Sequence, residues 1–286
     1  MGYLHIDNLY KNTEILNFKE CYAMEKIHGT SAHIAWKDGQ VRLFAGGVKH
    51  DDFAALFDIE YLTKKFEEHF GDYNDVTLFG EAYGGKCQAM QKTYGNELKF
   101  VGFDVKVGDN WLTVPAAAKI FRKFGLEFVR YKKIPATLDE LNKQRDIEST
   151  QAVRNGCGRG KMREGIVARP LIELTKNNGK RIIVKHKRPE FSETRTPRKV
   201  NPDKLKVIAK AKEIADEWVT AMRLNHVLDK IPQPHDITKT GQVIKAMIED
   251  VRREAAGEIV ESKDEMKEIG RKTALMYKSQ VTEVKL

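Results

Sequence analysis

The chain reads Glu25-Lys26-Ile27-His28-Gly29-Thr30-Ser31 between two apolar runs, and a Lys37-Asp38-Gly39-Gln40 turn separates the second run from a third. Apolar runs bounded by turn residues are typical of β-strands. The pattern predicts strand, tight loop, strand, hairpin and strand. Lys26 is expected at the end of the first strand. Gly29 would let the backbone of the loop turn or approach a ligand closely.

The chemistry of Lys26 depends on its surroundings. A lysine amine can act as a nucleophile when it is partly desolvated or lies near other cations. A lysine three residues before a glycine is more often a solvated loop residue, so this stretch by itself defines no function. The interpretation depends on the residues downstream.

Length and composition restrict the class of protein. The chain has 286 residues, enough for two domains, with 32% charged and 41% hydrophobic residues, which suits a soluble globular protein. A net charge of +9 favours an anionic partner, with nucleic acid as the first candidate and ordinary solubility charge as the alternative. The three cysteines are far apart without a Cys-x-x-Cys pair, which disfavours a disulfide framework or a zinc site and fits a reduced cytosol.

The predicted elements change in kind along the chain. Residues 1–20 are expected to form an N-terminal extension, and strand patterns dominate the first two thirds of the chain. Beyond a basic, proline-bearing linker at 195–203, which includes Arg195, Arg198 and Lys199, the pattern is nearly all helical. Helices are predicted over 51–70, 114–124, 138–153, 205–224, 241–259 and 263–284. The sequence therefore predicts two domains, over 1–195 and 203–286.

Polar residues recur in or at the ends of the predicted strands downstream of Lys26. Burying an unpaired charge in an apolar strand is costly, and a single such residue is usually a satisfied ion pair. Several of them on strands that share a sheet point to one cleft. In chain order they are Lys26 with Gly29, Glu81 after Phe79-Gly80, Phe103-Asp104, Glu164 before Gly165-Ile166-Val167, and Lys185 with Lys187.

With these motifs the chain resembles the covalent nucleotidyltransferases, the superfamily of ATP-dependent ligases and capping enzymes. Within it the chain is similar to the RNA ligases typified by the second RNA ligase of T-even phages and by the kinetoplastid editing ligases. The histidine inside the lysine motif favours RNA ligases over DNA ligases and capping enzymes. The resemblance implies an α+β fold: a nucleotidyltransferase (ATP-grasp-like ligase) domain of antiparallel sheets with flanking helices, followed by a small all-helical domain that binds RNA.

The resemblance also implies a reaction in three steps. Lys26 attacks the α-phosphate of ATP and forms a lysyl-AMP with release of pyrophosphate. AMP then moves to a 5′-phosphate on RNA, and a 3′-hydroxyl attacks that activated end. The implied cofactors are ATP and Mg²⁺ or Mn²⁺. The implied partner is RNA, with a nicked duplex favoured and an RNA/DNA hybrid as a further substrate, bound by a monomer.

The site residues follow from the same motifs. Glu25 resembles the residue beside the adenine edge, and Phe103 the aromatic ring that stacks on adenine. Glu81 resembles the acid near the ribose, and Glu164 the acid near the metal; both carry oxygen ligands suited to Mg²⁺ or a ribose hydroxyl. His28 resembles a residue needed after lysine adenylylation, although a solvated loop histidine is the alternative. Asp104 could equally be the structural partner of a basic residue.

The two lysines of the last motif have roles that follow from their charge. Lys185 and Lys187 lie on one face of a predicted strand. Near Lys26 they would favour the neutral amine that a nucleophile needs. They would also stabilise the charge that grows on the phosphate during transfer, and they complete the predicted catalytic and nucleotide-binding set.

Two positions depart from the family pattern. The strand after the lysine hairpin usually carries a phosphate-binding arginine, but this chain reads Leu43-Phe44-Ala45-Gly46-Gly47, with Arg42 before the expected place and Lys49 after it. Arg169 stands where a lysine is common. Three readings therefore stay open: an RNA ligase, a nucleic-acid-binding protein of the same fold with an impaired ligation step, and a DNA ligase.

Localisation follows from the N-terminus and from hydropathy. The first residues show no basic region followed by an apolar run, which argues against a signal peptide. No apolar run is long enough to span a bilayer. A cytoplasmic protein without membrane contact is therefore expected, in a bacterial host cell if the chain is phage-encoded.

Overall fold

The structure is a computed structural model that describes residues 2–73, 75–176, 178–193, 211–234 and 236–283. The chain divides into two compact units, Met1–Arg188 and Pro189–Leu286. The predicted linker basics Arg195, Arg198 and Lys199 lie outside the described residues.

The first sheet of the first unit has five strands in the order β1-β10-β9-β2-β8. All of its neighbours are antiparallel except β1 and β10, which are parallel, so the expectation of purely antiparallel sheets is wrong for this pair. The bounds of these strands are β1 Asp7–Asn8, β2 Glu20–Lys26, β8 Tyr131–Pro135, β9 Gly165–Pro170 and β10 Val184–Lys187.

The second sheet is antiparallel throughout, in the order β4-β3-β5-β6-β7. The predicted hairpin is confirmed, because β3 and β4 pair from Lys37 and Gln40 outward around an Asp38-Gly39 turn in which both residues have positive φ. The predicted strand over 98–107 is also confirmed. The bounds are β3 Thr30–Lys37, β4 Gln40–Ala45, β5 Asp75–Gly84, β6 Leu98–Val107 and β7 Asn110–Trp111.

Among the described residues of the first unit, six α-helices flank these sheets: α1 His50–Ala54, α2 Ile59–Phe70, α3 Gln91–Tyr94, α4 Val114–Lys123, α5 Leu138–Asp146 and α6 Thr150–Arg154. The single helices predicted over 51–70 and 138–153 are each two helices. In both cases an acceptor side chain restarts the helix: Asp58 accepts the N–H of Tyr61 at 2.9 Å, and Ser149 accepts the N–H of Ala152 at 3.1 Å.

Apolar clusters hold the described part of the first unit together, and two of them bear on the site. One packs α2 and α4 on the second sheet through Ile34, Trp36, Leu62, Phe66, Leu78 and Phe121. The other joins residues from both sheets and from α3, and includes Met24, Ile27, Tyr83, Tyr94 and Val101. This second cluster lies beside the loop between β2 and β3, so it supports the segment that carries Lys26.

The N-terminal residues are part of the first unit, so the expectation of an extension over 1–20 is wrong. β1 pairs with β10, and Leu9 and Ile15 are buried. Tyr3 packs edge-on against Phe103, with 4.8 Å between the ring centroids. The sequence hides this role because two-residue strands and isolated buried residues carry no periodicity.

The second unit is helical in its described part, as the sequence predicts for the C-terminal region. It contains α7 Ala211–Trp218, α8 Ala221–Leu228, α9 Thr240–Glu254 and α10 Lys263–Glu283. Its core is formed by Trp218, Leu224, Met247, Val251, Ile269 and Tyr277. In the described part of the chain, no helix has both the length and the apolar character needed to cross a membrane.

Candidate active site

Glu164 is the centre of a cluster of charged side chains in the first unit. Lys26 Nζ lies 2.9 Å from its Oε2, and Lys187 Nζ lies 2.9 Å from its Oε1. Backbone register explains this arrangement. Gly165, the first residue of β9, pairs with Lys26 of β2 on one side and with Lys187 of β10 on the other. The residue just before Gly165 is therefore placed between the ends of two strands that each carry a lysine.

The two lysines keep the Glu164 carboxylate charged. Its side chain is 1% exposed, and burial by itself would raise the pKa. The charges of Lys187, Lys26 and His28 act in the opposite direction and hold the pKa of Glu164 well below its usual range. In this state Lys26 is the cationic partner of an ion pair, so its ammonium must lose a proton before its nitrogen can attack an electrophile.

His28 contacts the same carboxylate from the loop between the sheets. Its Nδ1 lies 3.4 Å from Glu164 Oε2, the oxygen that Lys26 also contacts. Two side chains hold the backbone of this loop: the N–H of His28 donates to the hydroxyl of Tyr94 at 3.3 Å, and the N–H of Gly29 donates to Glu81 Oε1 at 3.2 Å. His28 is thus an ordered member of the cluster.

Gly29 is required by a close approach of the loop to β5. A Cβ atom at this position would lie 2.3 Å from the carbonyl oxygen of Ala82 and 2.9 Å from Glu81 Cγ. The predicted need for a small residue therefore arises from strand packing. The same close approach brings Glu81, which lies within β5 and three residues before its last residue, to the loop that follows Lys26.

Glu81 differs from Glu164 in its state of ionisation. Burial raises the pKa of Glu81 to about 7, although the nearby charge of Lys26 acts in the opposite direction; the charge of Glu164 contributes to the increase. The two carboxyl groups of the cluster therefore titrate in different pH ranges. This difference suits a role for Glu164 as a charged group that pairs with cations. It suits a role for Glu81 as a group that exchanges hydrogen bonds with a ligand near neutral pH.

The structure places Glu25 on the opposite face of β2 from Lys26. Its carboxylate accepts hydrogen bonds from the Ser149 hydroxyl at 2.6 Å and from the N–H groups of Thr150 at 3.0 Å and Gln151 at 3.4 Å. Arg163 Nη2 lies 3.6 Å from it. Glu25 thus binds the N-terminus of α6 and does not join the Lys26 cluster. Its predicted contact with adenine stays a prediction.

Phe103 and Asp104 occupy the part of β6 nearest the N-terminal residues. The ring of Phe103 is partly buried beside the cluster that contains Met24 and Ile27. Asp104 is fully buried, with Arg181 Nη1 at 2.7 Å and Arg169 Nη1 at 2.9 Å. The alternative that Asp104 is a structural partner of basic residues fits these contacts. Arg169, at the position where the family usually has a lysine, is part of this ion-pair network.

Lys185 and Lys187 are on one face of β10, as predicted, and Lys185 is buried. The residues between and after them, His186 and Arg188, hold the other face against α5. His186 Nε2 lies 2.8 Å from Asn142 Oδ1, and Arg188 Nε donates to the carbonyl oxygen of Arg145 at 3.2 Å. Contacts on both faces of β10 therefore fix the position of the lysine pair.

The residues present fit a metal ion that is coordinated mainly by a bound substrate and by water molecules. Among the described residues, no group of three or more His, Cys, Asp and Glu side chains is placed to hold a metal ion. Glu164 and Glu81 offer two carboxylates at the predicted site, and Glu164 already has three basic partners. Mg²⁺ commonly retains several waters and is bound by one or two carboxylates together with substrate phosphates. The donor set suits that mode.

The structure also shows where the basic residues lie near Ala45 and Gly46, the segment that lacks the phosphate-binding arginine expected there. Arg42 lies in β4 opposite Ala35, its side chain is 55% exposed, and its Nη2 is 4.0 Å from Asp38. Lys49 is exposed and directly precedes α1. Neither residue is placed against Glu164 by the contacts described above.

Sequence reasoning missed three residues that support the site. Tyr94 holds the N–H of His28, and no pattern in the sequence around Tyr94 indicates this contact. Ser149 precedes a helical stretch and could have been recognised as an N-cap, which would have divided the helix predicted over 138–153. Arg163 donates from Nη1 to the carbonyl oxygen of Gln144 at 3.1 Å and from Nη2 to that of Glu148 at 2.9 Å, which holds the segment before Glu164.

Solved structures with a similar fold include those of an RNA ligase from Naegleria gruberi. A variant of the Naegleria gruberi RNA ligase with ATP and Mn matches with a TM-score of 0.51 and 16% identity, over 67% of this chain and 57% of that chain. A second variant, with AMP and Mn, matches with a TM-score of 0.50 and 15% identity over the same shares. A third, with ATP and Mn, gives a TM-score of 0.51 and 15% identity over 67% and 57%. At this level of identity the likeness shows the fold.

These matches cover part of the longer proteins, because this chain spans about 57% of their length. No curated protein matches the chain. The profile of the RNA ligase family matches residues 19–187, a range that begins just before β2, ends at Lys187 and takes up more than half of the chain. The matched range contains Lys26, His28, Glu81, Glu164 and Lys187, and the chain belongs to the RNA ligase family.

Proposed function

We propose that the chain is an ATP-dependent RNA ligase that joins 3′-hydroxyl and 5′-phosphate ends through lysyl-AMP and RNA-adenylate intermediates. One observation carries the proposal: Lys26 and Lys187 bracket the carboxylate of Glu164 at the ends of two neighbouring strands. The finer assignment, to the branch typified by the second RNA ligase of T-even phages and the editing ligases, rests on the order of the five motifs.

The first step uses Lys26 as the nucleophile. Its Nζ, once deprotonated, attacks the α-phosphorus of ATP. A nitrogen–phosphorus bond forms, the bond from the α-phosphorus to the bridging oxygen breaks, and pyrophosphate leaves. Lys187 and Lys185 lie on the same face of β10 and supply positive charge for the transferred phosphate. Glu164 keeps Lys187 and Lys26 at fixed positions until the nucleotide enters.

Other residues of the site bind the nucleotide and the metal in this proposal. Glu81 accepts a hydrogen bond from a ribose hydroxyl, and Phe103 stacks on adenine. Gly29 allows the loop to approach the ribose and the adenine closely. Glu164 and Glu81 are the residues that would hold Mg²⁺ or Mn²⁺ in the presence of the nucleotide. When bound, that ion supplies charge neutralisation for the polyphosphate.

The second and third steps need RNA. His28, which shares Glu164 Oε2 with Lys26, is proposed to act in transfer of AMP from Lys26 to the 5′-phosphate. A nicked RNA duplex is the proposed substrate, with an RNA/DNA hybrid as a variant, and the helical second unit is the proposed RNA-binding domain of a monomer. Its described part is all helical, whereas DNA ligases and capping enzymes usually append an oligonucleotide-binding β-barrel, which favours an RNA ligase.

The test is the intact mass of the purified protein. The protein is first treated with pyrophosphate to remove any bound AMP and then incubated with ATP and Mg²⁺. A gain of one AMP is expected in the wild type and in Lys133→Ala, which removes an exposed lysine of β8, and no gain is expected in Lys26→Ala. Sealing of a nicked RNA duplex is measured next.

Two results would change the proposal. No mass gain in the wild type would favour the second reading, a nucleic-acid-binding protein that lost the chemistry. That reading is motivated by the arginine missing near Ala45 and Gly46. A mass gain without sealing would locate the defect in the steps that handle the 5′-phosphate.

A further inference from the structure

Tyr94 is a buried tyrosine whose hydroxyl meets the catalytic loop. It is the last residue of α3, its side chain is fully buried, and its hydroxyl accepts the N–H of His28 at 3.3 Å. Its ring packs edge-on against Tyr83, with 5.2 Å between the centroids. The Asn155 side chain donates to its carbonyl oxygen at 2.8 Å. Ring and backbone are therefore both fixed, so the hydroxyl is presented to the loop from a rigid support.

The loop needs such support more than Lys26 does. Lys26 is the last residue of β2 and pairs with Gly165 in the strand ladder. Residues 27–29 belong to neither sheet. The amides of His28 and Gly29 are held by the side chains of Tyr94 and Glu81. Loss of the Tyr94 hydroxyl would therefore release His28 while the ladder keeps Lys26 in place.

The hydroxyl is also matched to this task by its electrostatic surroundings. Burial raises the pKa of Tyr94; the hydrogen bond from the His28 N–H acts in the opposite direction, and the nearby carboxylates of Glu25, Glu164 and Glu81 raise the pKa further. The group therefore stays a neutral hydroxyl at all working pH values, and it accepts from the loop amide without adding a charge to the cluster.

We propose that Tyr94 is a positioning residue that holds the imidazole of His28 against Glu164 for the transfer of AMP from Lys26 to the RNA end. The inference rests on the proposed function. In that step a 5′-phosphate oxygen of RNA bonds to the phosphorus of AMP, the nitrogen–phosphorus bond to Lys26 breaks, and the lysine nitrogen takes up a proton from solvent. His28 Nδ1 lies 3.4 Å from the same Glu164 oxygen that Lys26 Nζ contacts at 2.9 Å, so the imidazole and the lysine nitrogen share one partner.

The variant that tests the inference is Tyr94→Phe, which removes the hydroxyl and keeps the ring. Tyr83→Phe is a matched control, because Tyr83 is equally buried and its hydroxyl accepts from Gln151 Nε2 at 2.8 Å. Two rates are measured with the full chain: formation of lysyl-AMP from ATP, and single-turnover transfer of AMP from the preformed lysyl-AMP enzyme to a 5′-phosphorylated nicked RNA duplex.

In Tyr94→Phe, lysyl-AMP formation should stay within about twofold of the wild type, whereas transfer should slow about tenfold, since small displacements of a catalytic group are costly. Tyr83→Phe should leave both rates within about twofold. In a His28→Ala background, Tyr94→Phe should cause no further slowing of transfer, because the tyrosine acts through the histidine.

Each other result overturns the inference. Equal slowing of both steps would make Tyr94 a general structural residue, and unchanged rates would make the contact dispensable. Additive effects of Tyr94→Phe and His28→Ala would show that the tyrosine acts by another route. If the wild type forms no lysyl-AMP, the proposed function fails first, and the positioning role fails with it. The two failures can be told apart: if only the positioning role is wrong, the wild type completes both steps and Tyr94→Phe completes them at the same rates.

Discussion

The hydroxyl of Tyr3 donates a hydrogen bond of 2.6 Å to Oδ2 of Asp104, which lies 101 residues further along the chain. Arg181 Nη1 reaches the same oxygen at 2.7 Å, and its guanidinium lies over the ring of Trp111 at 4.0 Å. The carboxylate of Asp104 therefore has a fixed cationic partner in Arg181 and a fixed neutral hydrogen-bond donor in the Tyr3 hydroxyl. The contact joins the N-terminus to β6, directly beside Phe103.

Tyr3→Phe should lower the free energy of unfolding by about 1–2 kcal/mol, because a buried carboxylate loses one of its donors. Tyr3→Ala should cost about 3–5 kcal/mol, since the ring also leaves a cavity between Phe79 and Phe103. Urea unfolding measures both values, and Tyr73→Phe, at an exposed tyrosine, is the control. Wild-type stability of Tyr3→Ala would mean that the contacts of Tyr3 with Asp104 and Phe103 do not stabilise the first unit.

Glu164→Gln should damage both stability and chemistry. It leaves the ammonium groups of Lys26 and Lys187 facing each other without a counter-charge. Because both lysines are partly reached by solvent, the expected loss is about 1–3 kcal/mol, below the range for a fully buried pair. Lysyl-AMP formation should fall at least about 100-fold, since a charged group of the site is lost.

Glu20→Gln is the matched control for that variant, because Glu20 forms an exposed pair with Lys133 at 3.1 Å. Exposed pairs contribute about 0–1 kcal/mol, so its stability and activity should stay near those of the wild type. If Glu164→Gln and Glu20→Gln have the same stability and the same rate of adenylylation, Glu164 is not the centre of the site.

The sequence predicted the parts of the site that are encoded locally. Lys26 at a strand end, the hairpin after it and the strand over 98–107 each follow from short patterns of apolar and turn residues. The charged residues that meet at Glu164 could also be named in advance. The resemblance supplied their order along the chain, and a charge inside an apolar strand signals a partner elsewhere.

The remaining features depend on contacts between distant segments. The capping of α6 by Glu25 and the hydrogen bond from His28 to Tyr94 connect residues 66 or more positions apart, and no local pattern encodes them. Glu25 and Lys26 are neighbours in the sequence, but adjacent residues of a strand point to opposite faces, so their different partners could not be predicted from the motif. The parallel pairing of β1 with β10 was hidden because β1, with two residues, is too short to show a period.

Binding of a nicked RNA duplex is predicted to depend steeply on salt. The chain carries a net charge of +9, and each phosphate contact made by a lysine or arginine releases counterions. The dissociation constant, measured by fluorescence anisotropy at rising salt concentration, should give a straight line in a double-logarithmic plot. A slope corresponding to about 4–8 phosphate contacts is expected. A flat response would contradict the electrostatic part of RNA binding.

Arg223 should be the most sensitive charged residue of the second unit. It is buried, with Nη1 at 2.6 Å from Asp250 Oδ2 and 3.3 Å from Glu193 Oε2. Arg223→Leu leaves two buried carboxylates without that partner and should cost about 3–5 kcal/mol in unfolding free energy. Arg271→Leu, at an exposed arginine of α10 paired with Glu268, should cost less than about 1 kcal/mol. Similar losses in the two variants would contradict the buried role of Arg223.

The raised pKa of Glu81 predicts a loss of stability as the pH rises. Its folded-state pKa is about 7, against an ordinary value of 4.5, so the folded protein favours the neutral carboxyl group. The stability associated with the neutral form is fully present below the ordinary pKa, and it is lost as the pH rises through about 7. Glu164 does not contribute in this window, because its pKa is held well below the usual range.

Glu81→Gln removes the titrating group and isolates this effect. Between about pH 5 and pH 8 the wild type should lose about 2 kcal/mol more unfolding free energy than Glu81→Gln, since a tenfold change in proton affinity is worth about 1.4 kcal/mol and solvent near the carboxylate reduces the total. Urea unfolding of both proteins at the two pH values measures the difference, in which the contributions of all other groups cancel. Parallel pH dependence in the two proteins would mean that Glu81 ionises normally and that the hydrogen bond from Gly29 is made to a charged carboxylate throughout this range.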